Sequence, residues 1–348
     1  MKQHLNTLYV QTQGTYLAKS GEAVAVRGED ESGKRATLLR VPIHNLGSIV
    51  AFGRVGVSPS LMGLCCERGV GITLLTEHGR LLGRITGFTP GNVLLRREQY
   101  RRSDDPEATA IIARNIVAGK VANGRAVLMR HRRDNPAAEG DEAVRKAAAR
   151  LANVGGDAMK SGSVDHVRGL EGEASATYFG VFEHLVVQQR GDFPFPNRSR
   201  RPPTDPLNAL LSFLYAMLAN DAKSACEACG LDAQVGFLHR DRPGRPSLAL
   251  DLMEELRPVL CDRLALSLVN RKQVTAGDFE AATTGGFRLK DKPRRAVLAA
   301  YQKRKLDALI HPYLEEKVSL GLVIHLQARL LARHLRGDLD AYPPFVWK

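Results

Sequence analysis

Three short stretches carry acidic or imidazole residues where mere solubility is a poor explanation for them. The first runs from Val164 to Ala174 and contains Glu171. On a helix of about 3.6 residues per turn, Glu171 lines up with Val167, Ser175, Tyr178 and Phe182, a largely apolar stripe, while Glu173 points elsewhere. A carboxylate drawn out of water needs a cation or several donors. The position therefore calls for an arginine, a lysine or a metal ion, and an internal ion pair with one of the many arginines would meet the same need.

The second stretch is Gly236-Phe237-Leu238-His239, which leads into a loop carrying Arg240, Arg242 and Arg245 among Pro243, Gly244 and Pro246. Neutral imidazole is a common metal ligand, and a lone histidine ending an apolar segment is as often simply packed. The arginines tilt His239 toward a site that handles phosphate. The third stretch, Ser247 to Pro258, reads as a helix capped by Ser247 and buried through Leu248, Leu252 and Leu256. Asp251 and Glu254, three apart, share a face. One such carboxylate can bind a hard cation while the other supports it from behind; an acidic face turned to solvent is the alternative. Pro258 is expected to bend or end the helix beside Glu254.

These residues need elements to bring them together. At 348 residues the chain exceeds what one core usually organises, which predicts two domains. Residues 1–95 read as a β-rich domain. Tyr16 to Ala18 and Ala23 to Val26 flank a turn at Lys19 to Glu22, and further short apolar runs span Ala36 to Ile43, Leu46 to Phe52, Gly71 to Leu75 and Leu81 to Gly87. Ser58-Pro59 marks one short helix ending at Gly69. Residues 96–106 read as a charged linker, Asp105-Pro106-Glu107 as a helix start, and residues 107–348 as an all-helical domain. Arg132 to Asp141 and the proline-rich Phe193 to Pro206 are expected loops. The fold class is α+β.

Lys and Arg total 50 against 37 acids, a net charge of +13 that would attract a polyanion. The basic residues bunch at Arg190 to Arg201, at the Arg240 loop and from Lys290 to Lys305. Nucleic acid is the leading partner; a basic chain that is merely soluble is the plain alternative. No apolar run approaches the roughly 18 residues of a membrane span, and the polar opening Met1-Lys2-Gln3-His4 lacks a secretion signal. Five cysteines at irregular spacing give no disulfide framework, so a reducing cytoplasm is expected. Cys226-x-x-Cys229 lacks a second pair for zinc, and Gly69-Val70-Gly71 lacks a phosphate-loop ending. Tyr178, Phe179 and Phe182 read as helix core, although Tyr178, on the Glu171 stripe, could touch DNA.

Taken in order, Gly169-Leu170-Glu171-Gly172, Pro206 to Ser212, Gly236 to His239 and Leu248 to Pro258 resemble the signature series of the CRISPR-associated integrases, Cas one (Cas1). The opening Leu5 to Val10 and the ending Tyr342 to Trp347 extend the resemblance to essentially the whole chain, closest to the type I-C branch. The resemblance implies an N-terminal domain that mediates homodimerisation and a helical catalytic domain. It implies catalysis by Glu171, His239 and Glu254 holding Mg²⁺ or Mn²⁺. Asp251, Tyr178, Asn208, Arg240, Arg242 and Arg245 become candidates to support that centre or contact DNA. The implied activity is endonuclease and integrase chemistry, in which a DNA 3′-hydroxyl attacks a repeat phosphodiester and captured double-stranded DNA becomes a new CRISPR spacer. The implied partner is the small protein Cas two (Cas2), in a heterohexameric complex. A stand-alone metal-dependent repair nuclease and a non-catalytic DNA-binding scaffold are the competing readings.

Overall fold

The computed structural model describes residues 6–30, 33–77, 81–87, 92–136, 138–282 and 285–347. The polar opening and Leu5 of the first motif lie outside these residues, as does Gly91, the expected end of the β-rich stretch. Contacts divide the chain into two units, Met1–Pro90 with Arg294–Gln302, and Gly91–Pro293 with Lys303–Lys348.

The first unit holds β1 (Asn6–Val10), β2 (Tyr16–Lys19), β3 (Ala23–Glu29), β4 (Arg35–Pro42), β5 (Leu46–Phe52), β6 (Gly56–Val57), α1 (Pro59–Glu67), β7 (Gly71–Leu75) and β8 (Leu81–Ile85). They form two four-stranded sheets, ordered β1-β5-β7-β8 and β4-β3-β2-β6. In the first sheet β1, β5 and β7 run parallel. Central β5 is apolar almost throughout and nearly all buried, as a parallel strand covered on both faces must be. The predicted hairpin pairs Tyr16 with Arg27 through Lys19 with Val24. Ser58 caps α1, its Oγ accepting from Leu61 N at 3.2 Å, and Gly69 takes the left-handed conformation (φ +65°) just past the helix end. Leu17, Val24, Ile49, Leu61 and Ile72 share the core.

The second unit holds α2 (Val93–Asp104), α3 (Pro106–Asp134), α4 (Asp141–Lys160), α5 (Val164–Phe179), α6 (Pro206–Ala228) and α7 (Ser247–Glu254). A π-helical turn (Arg257–Asp262) leads to α8 (Arg263–Asn270), the hairpin β9 (Phe279–Ala281) and β10 (Phe287–Leu289), and α9 (Asp291–Lys305). The hairpin β11 (Ala308–Ile310) and β12 (Lys317–Ser319) and then α10 (Leu320–Leu335) follow.

Three expectations need correction. Residues 96–104 are not a linker but most of α2. Its charges pair along the helix, Arg102 with Glu98 at 2.9 Å, while Gln99 is buried and donates to the carbonyls of Asp232 and Val235 at 2.8 Å each. A helix with so few apolar residues leaves little periodic signal. Residues 107–348 are not all-helical, because two hairpins interrupt the helices. Their three-residue strands are too short for alternation to be read. Finally, α9 straddles the division, since Arg294–Gln302 packs with the first unit. There Gln302 donates to the Thr7 carbonyl at 3.3 Å and Arg294 to that of Glu77.

The 29-residue α3 is the spine of the second unit, packed against α4, α5 and the π turn. Asp105 caps it, accepting from Glu107 N at 2.9 Å and Ala108 N at 3.3 Å. Replacing Asp105 with Ala should therefore cost about 1 kcal/mol in denaturant unfolding. At the end of the π turn, Asp262 is buried and accepts from the Tyr215 hydroxyl at 2.7 Å. Burial pushes its carboxyl up from 3.8 to about 6, although Tyr215, Tyr178, Arg198 and Arg257 favour the anion. The folded protein thus holds this proton in a range where the unfolded chain has released it, and Asp262 costs stability as pH rises from 3.8 to about 6. In unfolding titrations across that window, Asp262→Asn should remove this contribution, so that stability falls less with rising pH than in the parent protein.

Candidate active site

His239 is set by a buried carboxylate. Asp251, fully buried on α7, accepts from the backbone N–H groups of Phe237 (2.6 Å), Leu238 (3.0 Å) and His239 (2.9 Å). Its Oδ1 also lies 2.6 Å from His239 Nδ1. Because a carboxylate only accepts, Nδ1 carries the proton and Nε2 presents its lone pair. The chain wraps this closely only because residue 236 is glycine: a Cβ there would stand 2.7 Å from Asp251 Oδ2. Ser247 does not cap α7 as predicted. It is the first helical residue, and its Oγ donates to the Arg240 carbonyl at 3.2 Å, closing the basic loop.

Glu254 is the last residue of α7, where the α-helix gives way before the π turn carrying Pro258, the break expected there. Its side chain is 1% exposed, and Oε1 lies 2.5 Å from Arg257 Nη1 and 3.7 Å from His239 Nε2. Lys120 Nζ stands 2.8 Å from Oε2, but misaligned, so that oxygen has no hydrogen bond among the described residues. Burial alone would push the Glu254 carboxyl up; Arg257, then Lys120 and His239, outweigh it and hold it down at about 2.

The same ammonium joins Glu171 to this group. Lys120 Nζ donates to Glu171 Oε1 and to Ser175 Oγ (2.9 Å), and Ser175 Oγ donates to Glu171 Oε1 at 2.8 Å. Glu171 is half-buried rather than sunk in the apolar stripe. Of the expected partners, arginine, lysine or a metal ion, the cation beside it is a lysine of α3. Arg168 ties α5 to the histidine segment, its Nε donating to the Leu238 carbonyl at 2.5 Å.

Glu171, His239 and Glu254 thus converge, with Asp251 behind the histidine. Among the described residues, no three acidic, imidazole or thiol groups are gathered closely enough to hold an ion as they stand, since Lys120 separates the two glutamates. The donor chemistry nonetheless fits a divalent cation: His239 Nε2 and Glu254 Oε1 face each other as two electron-rich atoms, and Glu254 Oε2 lacks a hydrogen bond.

The other candidates scatter. Asn208 is fully buried; it accepts from Arg198 (2.6 Å) and Ser199 N (3.0 Å) and donates to the Asn197 carbonyl (2.8 Å), fastening the proline-rich loop to α6. Tyr178 is buried against Phe179 and Phe182. Arg240 is exposed and paired with Asp165 at 3.0 Å, while Arg242 and Arg245 follow in the loop. Sequence reasoning missed Lys120, Arg257, Ser175 and Arg168. Lys120 carried a usable signal, since it interrupts the buried run Ile116, Val117, Val121 and Gly124 as Glu171 does its own stripe. Beside these residues a small cavity of about 20 Å³ is lined by Lys120, Ser175, Tyr178, Tyr215, Arg257 and Asp262, among others.

Comparison with known proteins places this arrangement. The family model for CRISPR associated protein Cas1 matches residues 8–303. A CRISPR-associated endonuclease Cas1 of Rhodospirillum rubrum is 55% identical over 356 residues, covering 100% of both chains. Among solved structures, a CAS1 protein from Thermotoga maritima aligns with a TM-score of 0.79 at 25% identity, covering 99% of this chain and 100% of the other. A casposase bound to integration product shares the fold, with a TM-score of 0.83 at 22% identity over 99% of this chain and 95% of the other. By the family match and by its likeness to a full-length relative, this chain is a member of the CRISPR-associated Cas1 family.

Proposed function

We propose that this protein is a divalent-metal-dependent DNA endonuclease and integrase of CRISPR adaptation, which joins the 3′-hydroxyl of a captured DNA fragment to a phosphodiester of the repeat. The observation that carries the reading is the meeting of two carboxylates around one ammonium, with an imidazole lone pair 3.7 Å from the second carboxylate. Glu171, His239 and Glu254 would hold Mg²⁺ or Mn²⁺, which when bound supplies Lewis acidity toward a phosphoryl oxygen and the charge developing there. Asp251 keeps His239 Nε2 free to ligate by holding the proton on Nδ1. Arg257 neutralises Glu254 and stays close to where a phosphate would lie. Water in place of the 3′-hydroxyl gives strand cleavage at the same centre.

The partner is double-stranded DNA, gripped mainly by its backbone, which suits a chain of net charge +13. Exposed Arg242 lies beside Arg245, and burial together with Arg242 holds the Arg245 guanidinium below its usual value. Such unrelieved positive charge favours phosphate. The β-rich unit serves homodimerisation, for which exposed Leu38 and Leu39 of β4 offer apolar surface. The small protein Cas2 completes a heterohexameric complex in the cytoplasm, and the chain's two ends align it with the type I-C branch.

The test is an incubation of the protein with a short duplex, a repeat-containing plasmid and Mn²⁺, read by product size. Joined products are expected; strands that are only shortened would mark a stand-alone nuclease. Glu171→Gln, His239→Ala and Glu254→Gln should each abolish joining while duplex binding at low salt persists, and normal joining by these variants would leave only a DNA-binding scaffold. Asp251→Asn removes the acceptor that fixes the imidazole and should lower Mn²⁺ affinity by about 10–100-fold, measured by titration.

A further inference from the structure

The ammonium between the two glutamates is a built feature of the site. Lys120 projects from α3 with 11% of its side chain exposed, and its Nζ touches Glu171 Oε1, Ser175 Oγ and Glu254 Oε2. On the reading that Glu171, His239 and Glu254 form a metal centre, we propose that Lys120 is the resident cation of the metal-free site. It must withdraw when a divalent ion is loaded, and its released ammonium then takes a phosphate oxygen of the bound DNA.

The charges require a movement of this kind. In the present arrangement the two carboxylates are matched by two cations, Lys120 and Arg257. A divalent ion adds two positive charges to a partly buried place, where like charges repel far more strongly than in water. Either a cation leaves or an anion joins. Arg257 is the less free of the two, because its guanidinium lies 5.0 Å from the centre of the Tyr215 ring and 2.5 Å from Glu254. Lys120 has a flexible four-carbon stem and keeps 11% of its side chain exposed, so its ammonium can turn toward solvent. Once both glutamates have turned to the metal, Lys120 lacks an anionic partner, and a DNA phosphate is the anion at hand. Loading and DNA binding are thereby coupled, each strengthening the other by the same factor.

This predicts weak Mn²⁺ binding to the free protein and tighter binding with DNA. The full chain is titrated with Mn²⁺, following free Mn²⁺ by electron paramagnetic resonance, with and without a short duplex whose 3′ ends are dideoxy-terminated. Without DNA, Lys120→Met should bind Mn²⁺ roughly tenfold tighter than the parent protein, since a like charge has gone, and should lose most of the gain that DNA confers. Lys120→Arg, which keeps the charge, should stay near the parent value. Should Lys120→Met bind Mn²⁺ no better than the parent while Glu254→Gln abolishes binding, the metal centre stands and the role of Lys120 falls. If Glu171→Gln and Glu254→Gln both bind Mn²⁺ like the parent, the metal centre itself is wrong.

A measurement on the unaltered protein guards against a misfolded variant. Acetylation of Lys120 by a small acylating reagent, read by mass spectrometry, should rise several-fold when Mn²⁺ is added and fall back when the duplex is added too. Equal labelling in all three conditions would overturn the proposal.

Discussion

The second unit is organised around the cost of burying the charge on Glu254. A carboxylate 1% exposed is tolerable only if cations stand against it. The site answers from two directions, with Arg257 from the turn that follows and Lys120 from α3. That requirement fixes how α3 and α7 meet and, through Lys120, where Glu171 of α5 stands. Three helices distant in sequence are registered by one shared electrostatic problem. Stability and the proposed function point to the same atoms here, because a cluster that must be neutralised for folding is also the one proposed to take a stronger cation.

The second carboxylate of α7 does different work. Among the described residues Asp251 makes no ion pair with lysine or arginine; three backbone N–H groups and the imidazole N–H satisfy it. Its charge is spent on orientation. Fixed inside the helix, it holds the segment carrying His239 by the backbone, so the position of Nε2 owes little to the exposed arginine loop beyond. The division of labour between Asp251 and Glu254 follows from their spacing: three residues along a helix they share a face, yet only the later one reaches the group formed with Glu171 and Lys120.

Much of this was legible in the sequence because each signal was local. Ser58-Pro59 and Asp105-Pro106 announced their helices through caps, and Leu46 to Phe52 announced a strand by its nearly continuous apolarity. Pro258 foretold the break at which Glu254 sits. What failed was what depends on distant partners. α2 was misread because its buried anchor is Gln99, a polar residue satisfied by a backbone more than 130 positions away. The hydrogen bonds of Asn208 were equally hidden, since nothing in the sequence shows that Arg198, Ser199 and Asn197 enclose it. Lys120 was overlooked because a lysine in a basic chain draws no notice, although its place among buried residues of α3 sets it apart.

The C-terminal motif makes the same point from the other side. Tyr342 to Trp347 entered only as part of a family resemblance, yet it braces the site. Glu255, next to Glu254 but turned away from it, is fully buried and accepts from the Tyr342 hydroxyl, Gln327 Nε2 and Phe345 N, each at 2.8 Å. Burial drives its carboxyl up to about 8 even so. Asn123, one turn beyond Lys120 on α3, donates to the carbonyls of Glu255 (2.7 Å) and Phe345 (2.9 Å) and accepts from Trp347 N at 2.7 Å. Gly119 lets these backbones close, since a Cβ there would lie 3.1 Å from Glu255 and from Pro344. The terminal segment therefore pins α3 to the end of α7 on the side away from Glu171 and Glu254. With both backbones held, change at the site is left to side chains, and of those Lys120 has the reach.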